Sequence, residues 1–175
     1  MPPRRHLLLA AAGAALGLRP GRAAAVGERW IWATNRAGEE VAVAYRVGGT
    51  YNTSALLHLR HLFRDLHENL PGPLPPLLVD MLSVLQERWG YSHPLVLNSG
   101  YRTPRTNASI EGAAPASLHM RGLAADVTLR GVHPDSLGAM AWMLSQRLGF
   151  MGIGLYSGFL HLDIGPQRSW TRFGR

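Results

Sequence analysis

Two short strings dominate what this chain can fold into. Ser117-Leu-His119-Met-Arg-Gly122-Leu-Ala124-Ala-Asp126 and Phe159-Leu-His161-Leu-Asp163 each carry an imidazole and a carboxylate, with a helix-sized gap between them. A lone His or Asp in a strand is usually a satisfied structural residue. Two such strings at compatible distance ask for a fold that sets them side by side with their polar atoms on one face, since residues i and i+2 of a strand share a face. Imidazole nitrogen and carboxylate oxygen are the donors a zinc ion takes when one coordination position stays open for water. The chain has no cysteine, so any metal must be held by His, Asp or Glu, and neither a disulfide framework nor a thiolate nucleophile is available. These features predict a metal-dependent hydrolase.

Around the strings, hydrophobic periodicity predicts an α+β domain. Strands are expected over 29–34 and 41–46, joined by the turn sequence Asn35-Arg-Ala-Gly38. A helix over 55–68 carries Leu56, Leu59, Leu62, Phe63 and Leu66 on one face, and the prolines of 71–76 break it. A second helix is expected over 75–89, a short strand over 95–98, then a long Gly/Ala/Pro/Asn-rich loop over 99–117. A strand over 123–129, a helix over 134–148 and a closing hairpin, 152–156 with 159–164, complete the order. That order implies helices packed on one face of a mostly antiparallel sheet.

The length suits one domain that buries about two thirds of its unfolded surface without metal or disulfide staples. Residues 1–25 are read as an address: Arg4-Arg5, an apolar stretch from Leu7 to Leu18, then Ala23-Ala24-Ala25. That is the layout of a bacterial signal peptide of twin-arginine type, with cleavage after Ala25 leaving a domain over 26–175. Its apolar stretch is shorter than the roughly 20 residues needed to span a bilayer. The mature chain is therefore expected in the periplasm or otherwise outside the cytoplasmic membrane, without a stable membrane anchor. All 18 basic residues are arginine, and loss of the four in the leader lowers the formal charge from +7 to +3. So modest a charge gives no case for a nucleic-acid partner, although an acidic polymer such as cell wall suits it.

Ser117, His119, Gly122, Ala124 and Asp126 follow the Ser-x-His-x2-Gly-x-Ala-x-Asp pattern of the M15 zinc peptidases, the D-Ala-D-Ala carboxypeptidase and dipeptidase group. Asn98-Ser-Gly-Tyr-Arg102-Thr-Pro104, Gly152-Ile-Gly-Leu-Tyr156 and Phe159-Leu-His-Leu-Asp-Ile-Gly165 resemble more closely the exported YcbK-like branch, the murein endopeptidase K family. The resemblance covers nearly all of the mature chain. It implies a hedgehog/D-Ala-D-Ala peptidase-like fold, zinc held by His119, Asp126 and His161, and the peptide stems of peptidoglycan as substrate for a monomeric enzyme. It also implies that Arg102 polarises the scissile carbonyl or holds a substrate carboxylate, a fork that lysine does not copy. Ser117 either hydrogen-bonds substrate backbone or caps its own turn, and Tyr156, like Tyr101, lines the cleft or belongs to the core.

One departure matters. Carboxypeptidase-like relatives carry a glutamate base three residues before the last histidine ligand, where this chain has Gly158. Asp163, on the same strand face as His161, is then the candidate base. It is alternatively the partner that orients a histidine, or a ligand with His161 as base. His58, His61 and His67 read as a solvated face, and His93 and His133 as capping or surface residues. Trp30, Trp32, Trp142 and Trp170 read as core or rim aromatics rather than sugar platforms, a place beside a glycan cleft being the alternative for Trp170. The expected function is an exported zinc endopeptidase cutting peptidoglycan cross-links. The alternatives are a non-catalytic, zinc-stabilised wall-binding module and a D-Ala-D-Ala carboxypeptidase.

Overall fold

The Asn35–Gly38 turn starts the sheet. The Asn35 side chain accepts the N–H groups of Ala37 and Glu39 at 3.0 and 3.1 Å, and Gly38 takes φ 79°. Strands β1 (Glu28–Asn35) and β2 (Glu40–Val47) therefore pair antiparallel. The computed structural model describes residues 27–172, so the expected signal sequence lies outside the described residues.

After β3 (Thr50–Tyr51) come α1 (Thr53–Leu62), α2 (Pro76–Glu87), β4 (Leu95–Ser99), α3 (Pro104–Ser109), β5 (Ala124–Leu129), α4 (Pro134–Leu148), β6 (Phe150–Tyr156), β7 (Leu160–Pro166) and β8 (Arg168–Arg172). All eight strands form one sheet in the order β3-β2-β1-β4-β5-β7-β6-β8. β1 with β4 and β6 with β8 are parallel, and the other neighbours are antiparallel. The α+β, mostly antiparallel expectation holds.

A single buried cluster joins Leu59 and Leu62 of α1, Leu78, Leu82 and Leu85 of α2, and Leu137 and Ala141 of α4 to Ile31, Leu95, Leu97, Ala125, Val127, Leu160 and Leu162 of the strands. Each such leucine contributes about 1.5–3 kcal/mol by leaving water. Because Ala125 and Val127 of β5, and Leu160 and Leu162 of β7, point into this core, strand alternation turns Asp126, His161 and Asp163 to the other face. Among the described residues, no helix is long and apolar enough to cross a membrane.

Besides the two-residue β3, which the sequence reading does not anticipate, three elements depart from the sequence expectation. The first helix stops at Leu62, six residues early, because its continuation is used elsewhere: Phe63 O accepts the N–H of Tyr101 at 2.8 Å. The Asp65 carboxylate accepts from the backbone of His67 at 2.9 Å and of Thr103 at 2.8 Å, which anchors the segment carrying Arg102. The 99–117 loop holds α3, capped by the Thr103 hydroxyl, which accepts the Thr106 N–H at 3.1 Å. β8 is the third, a short polar strand that the sequence reading does not anticipate.

Candidate metal centre

His119 sits on a single 3-10 turn, Leu118–Arg121, which begins at Ser117 and ends at Gly122 in the left-handed region at φ 67°. Gly122 is required twice over, because a Cβ there would also collide with the Pro73 carbonyl. Ser117 caps the turn, its hydroxyl accepting the His119 N–H at 3.4 Å. Asp126 and His161 arrive on β5 and β7 as direct cross-strand partners.

The partners of the two imidazoles assign their tautomers. His119 Nδ1 lies 2.7 Å from the Gly100 carbonyl, which can only accept, so Nδ1 carries the hydrogen and Nε2 presents its lone pair. His161 is turned the other way. Its Nε2 lies 3.1 Å from Asp163 Oδ2, so Nδ1 presents the lone pair.

Those two lone pairs and Asp126 Oδ1 face one another. Nε2 of His119 is 3.1 Å from Nδ1 of His161 and 3.2 Å from Oδ1, and Nδ1 is 2.9 Å from Oδ1. His119 and Asp126 are buried, and His161 nearly so. With both imidazoles neutral, three acceptors face one another and repel unless a positive charge, a metal cation or a proton on His161 Nδ1, lies among them. A tetrahedral zinc ion with bonds of about 2.1 Å sets its ligands roughly 3.4 Å apart, so each edge is short by about half an ångström or less. The residues present fit the ion, and they are the metal-capable group found among the described residues.

The electrostatics are those of a place that attracts positive charge, which a proton on His161 supplies when no metal does. Burial would raise the Asp126 carboxyl, but hydrogen bonds to His119 and His161, with the Arg102 charge, hold it well below the usual carboxylate range. Burial would lower His161, but Asp126 and Asp163 together hold it above the ordinary imidazole value. Asp163 is fully buried yet held low by His161, Arg168 and the Gly165 N–H.

The other expected site residues surround this group. Arg102 pairs through Nη2 with Asp126 Oδ2 and donates from Nε to Ser99 Oγ at 2.7 Å. That leaves Nη1 without a protein partner among the described residues. Tyr156 stacks on Phe159, ring centres 4.4 Å apart, at the cleft wall. Asp163, the candidate base, has both oxygens engaged: Oδ2 by His161 and Arg168, Oδ1 by Arg168 and the Gly165 N–H at 2.8 Å. Gly158 has open space around it. His133 caps α4, its Nδ1 accepting the Asp135 N–H at 3.3 Å, and His67 lines the cleft away from the three donors.

The cleft has two hollows, of about 650 and 400 Å³, which share Arg102, Ile110, Asp126 and Phe159 as lining. All three donors line the smaller hollow, and Asp126, with Arg102, also borders the larger one. The sequence reading missed Gly100, Phe159 and Arg168 as contributors. It placed Trp170 at the rim, and its ring centre is 5.2 Å from that of His161. The signal available for Arg168 was the alternation Arg168-Ser-Trp170-Thr-Arg172, which puts three large side chains on one face.

Fold and site together define an α+β domain with a three-donor candidate metal centre in the wall of a cleft. The family described as peptidoglycan L,D-endopeptidase MepK matches residues 23–170. The chain is 37% identical over 139 residues to the peptidoglycan L,D-endopeptidase MepK of Escherichia coli (strain K12), covering 76% of this chain and 74% of that protein. The probable peptidoglycan L,D-endopeptidase MepK of Haemophilus influenzae is 30% identical over 140 residues, covering 76% and 73%. The chain belongs to this M15-type murein endopeptidase K family.

Proposed function

We propose that this chain is an exported, zinc-dependent endopeptidase that hydrolyses peptide cross-links of peptidoglycan, on the hedgehog/D-Ala-D-Ala peptidase-like variant of the α+β frame. The observation that carries the reading is the triangle of donor atoms on His119, Asp126 and His161 in the wall of the cleft. A zinc ion held there supplies a Lewis acid and a coordinated water whose pKa falls to about 7.

The chain's own residues do the rest. Gly100 O and Asp163 hold the two imidazoles in the tautomers that face the ion. Arg102 steadies Asp126 and offers Nη1 to the carbonyl oxygen as negative charge develops on it. Asp163 serves through His161 and not as the acceptor of the water's proton, since its oxygens are taken and its side chain is buried. Ser117 and Tyr156 line the side of the cleft where one peptide stem lies. The cleft continues past Asp126 and Arg102 into the larger hollow, which suits a bond inside a cross-linked chain better than a terminal residue and disfavours the carboxypeptidase alternative. The absence of a side chain at Gly158 is what favours the non-catalytic wall-binding module as the second reading. Export by the leader over 1–25 would deliver a monomer to the wall, with zinc as its cofactor.

The test is incubation of zinc-loaded protein with purified sacculi, followed by chromatography and mass spectrometry of the muropeptides. Cross-linked dimers should decline and monomers appear. Sacculus binding with no new muropeptides would select the binding module, and release of single D-Ala the carboxypeptidase.

A further inference from the structure

We propose that Arg168 is a positioning residue for the metal centre, acting through Asp163 to fix the rotation and tautomer of His161 across a gap left by glycine. The proposal rests on the zinc reading of the site and adds a residue from the edge strand that the reading does not use.

The geometry comes from three neighbouring strands. Gly152 of β6 is the register partner of Asp163 on one side, in β7, and of Arg168 on the other, in β8. A side chain in the middle strand would normally separate its two neighbours. Here a Cβ at position 152 would run into both the Asp163 carboxylate and the Arg168 guanidinium, so the two groups occupy the space a side chain would fill. Arg168 reaches over the gap with a fork, Nη2 at 2.6 Å from Oδ2 and Nη1 at 3.1 Å from Oδ1.

The next row repeats the device. Gly154 lies between His161 and Trp170, and a Cβ there would meet the indole that approaches the His161 ring. The Arg168 guanidinium lies 5.2 Å from the centre of the same indole. The Gly152-Ile-Gly154 segment is therefore a window through which β8 acts on β7.

The consequence is orientational. A carboxylate that accepts from a histidine fixes the ring only if the carboxylate itself cannot turn. Oδ2 of Asp163 takes the His161 Nε2–H, and the Arg168 fork with the Gly165 N–H holds the plane of that carboxylate. Without the fork, the carboxylate rotates and the His161 ring is free to present either nitrogen. A strut that merely pinned β8 would need no such alignment with the donor set.

The experiment compares zinc affinity, by competition with a chromogenic chelator, in the wild type, Arg168→Gln and Arg168→Lys. A long-range 15N–1H spectrum of each metal-free protein, recorded at a pH high enough for the His161 ring to be neutral, reports its tautomer. Arg168→Gln should lose about 10- to 100-fold in zinc affinity, the usual cost of removing a partner that orients a ligand. Its His161 should change from a single Nε2–H form to a mixture. Arg168→Lys keeps the charge but not the fork and should fall between the two. With saturating zinc, kcat on a cross-linked muropeptide should fall while KM stays within about twofold, the signature of lost transition-state geometry. A folded Arg168→Gln with wild-type zinc affinity and a single His161 tautomer overturns the proposal; if that variant does not fold, wild-type values in Arg168→Lys overturn it. Failure of the wild type to bind zinc would instead defeat the reading of the site, so the two failures are distinct.

Discussion

Asp126 and His161 face each other directly across β5 and β7, and Asp126 Oδ1 lies 2.9 Å from His161 Nδ1. Register rather than loop conformation thus sets one edge of the donor triangle. Two rigid strands supply two of the three donors, and a one-turn helix closing on Gly122 supplies the third.

Removal of one donor should abolish metal binding without unfolding the domain, because the core lies on the opposite sheet face. His119→Ala is expected to lower zinc affinity by more than about a thousandfold and to stop muropeptide release. Retained hydrolysis by metal-free His119→Ala would sink the mechanism. Chelation of the wild type should produce the same loss, restored by added zinc, with the far-UV circular dichroism spectrum unchanged.

Gly122→Ala should be costly. A left-handed conformation costs an L-residue about 1–2 kcal/mol, and the new Cβ must also displace the Pro73 carbonyl. Summed, a loss of roughly 3 kcal/mol or more is expected, or about 6–12 °C in Tm for a domain of this size. The measurement is a calorimetric melt of the metal-free variant. A Tm within about 2 °C of wild type would show that the turn reshapes at little cost.

Much of this arrangement is legible in the sequence, and the rest is hidden for definite reasons. α4 follows its prediction at both ends because its signals are local: Pro134 opens it and Gly149 closes it at φ 73°. The strings around His119, Asp126, His161 and Asp163 show themselves because spacing within a strand is also local. The overrun of the first helix is different. Leu66 continues the helical periodicity, but Asp65 is committed to Thr103, 38 residues away, and no local rule reports that. α3 has only six residues and no apolar face. Arg168 is hidden because the meaning of β8 depends on Gly152, a residue that contributes by having no side chain.

Arg102→Lys tests whether the fork matters at the site. Lysine can retain a charge beside Asp126 but cannot bond to Ser99 and the carboxylate while also offering a third nitrogen to substrate. The expected result is a fall in kcat of about 100-fold, the cost typical of one lost oxyanion donor. Steady-state kinetics on a purified cross-linked dimer, at saturating zinc, measures it. A kcat within about threefold of wild type would remove Arg102 from the chemistry.

At the wall of the larger hollow, the turn between β1 and β2 should set part of the acid stability. Arg64 forks onto Glu39, Nη1 to Oε2 at 2.6 Å and Nη2 to Oε1 at 2.9 Å. The hydrogen bonds from Arg64 first, and from Asn35, lower the Glu39 carboxyl from 4.5 to about 2. A folded-state value below the unfolded one means that the stabilisation is complete above about 4.5 and is lost as pH falls toward 2. Glu39 is 40% exposed, so solvent screens the pair and its share of the total is small. Glu39→Gln should therefore lower Tm slightly at pH 7 and converge with the wild type near pH 2. Thermal melts of both proteins across that range measure the difference. A gap in Tm that stays constant or widens on acidification would mean that the loss comes from packing at the turn and not from the carboxylate's charge.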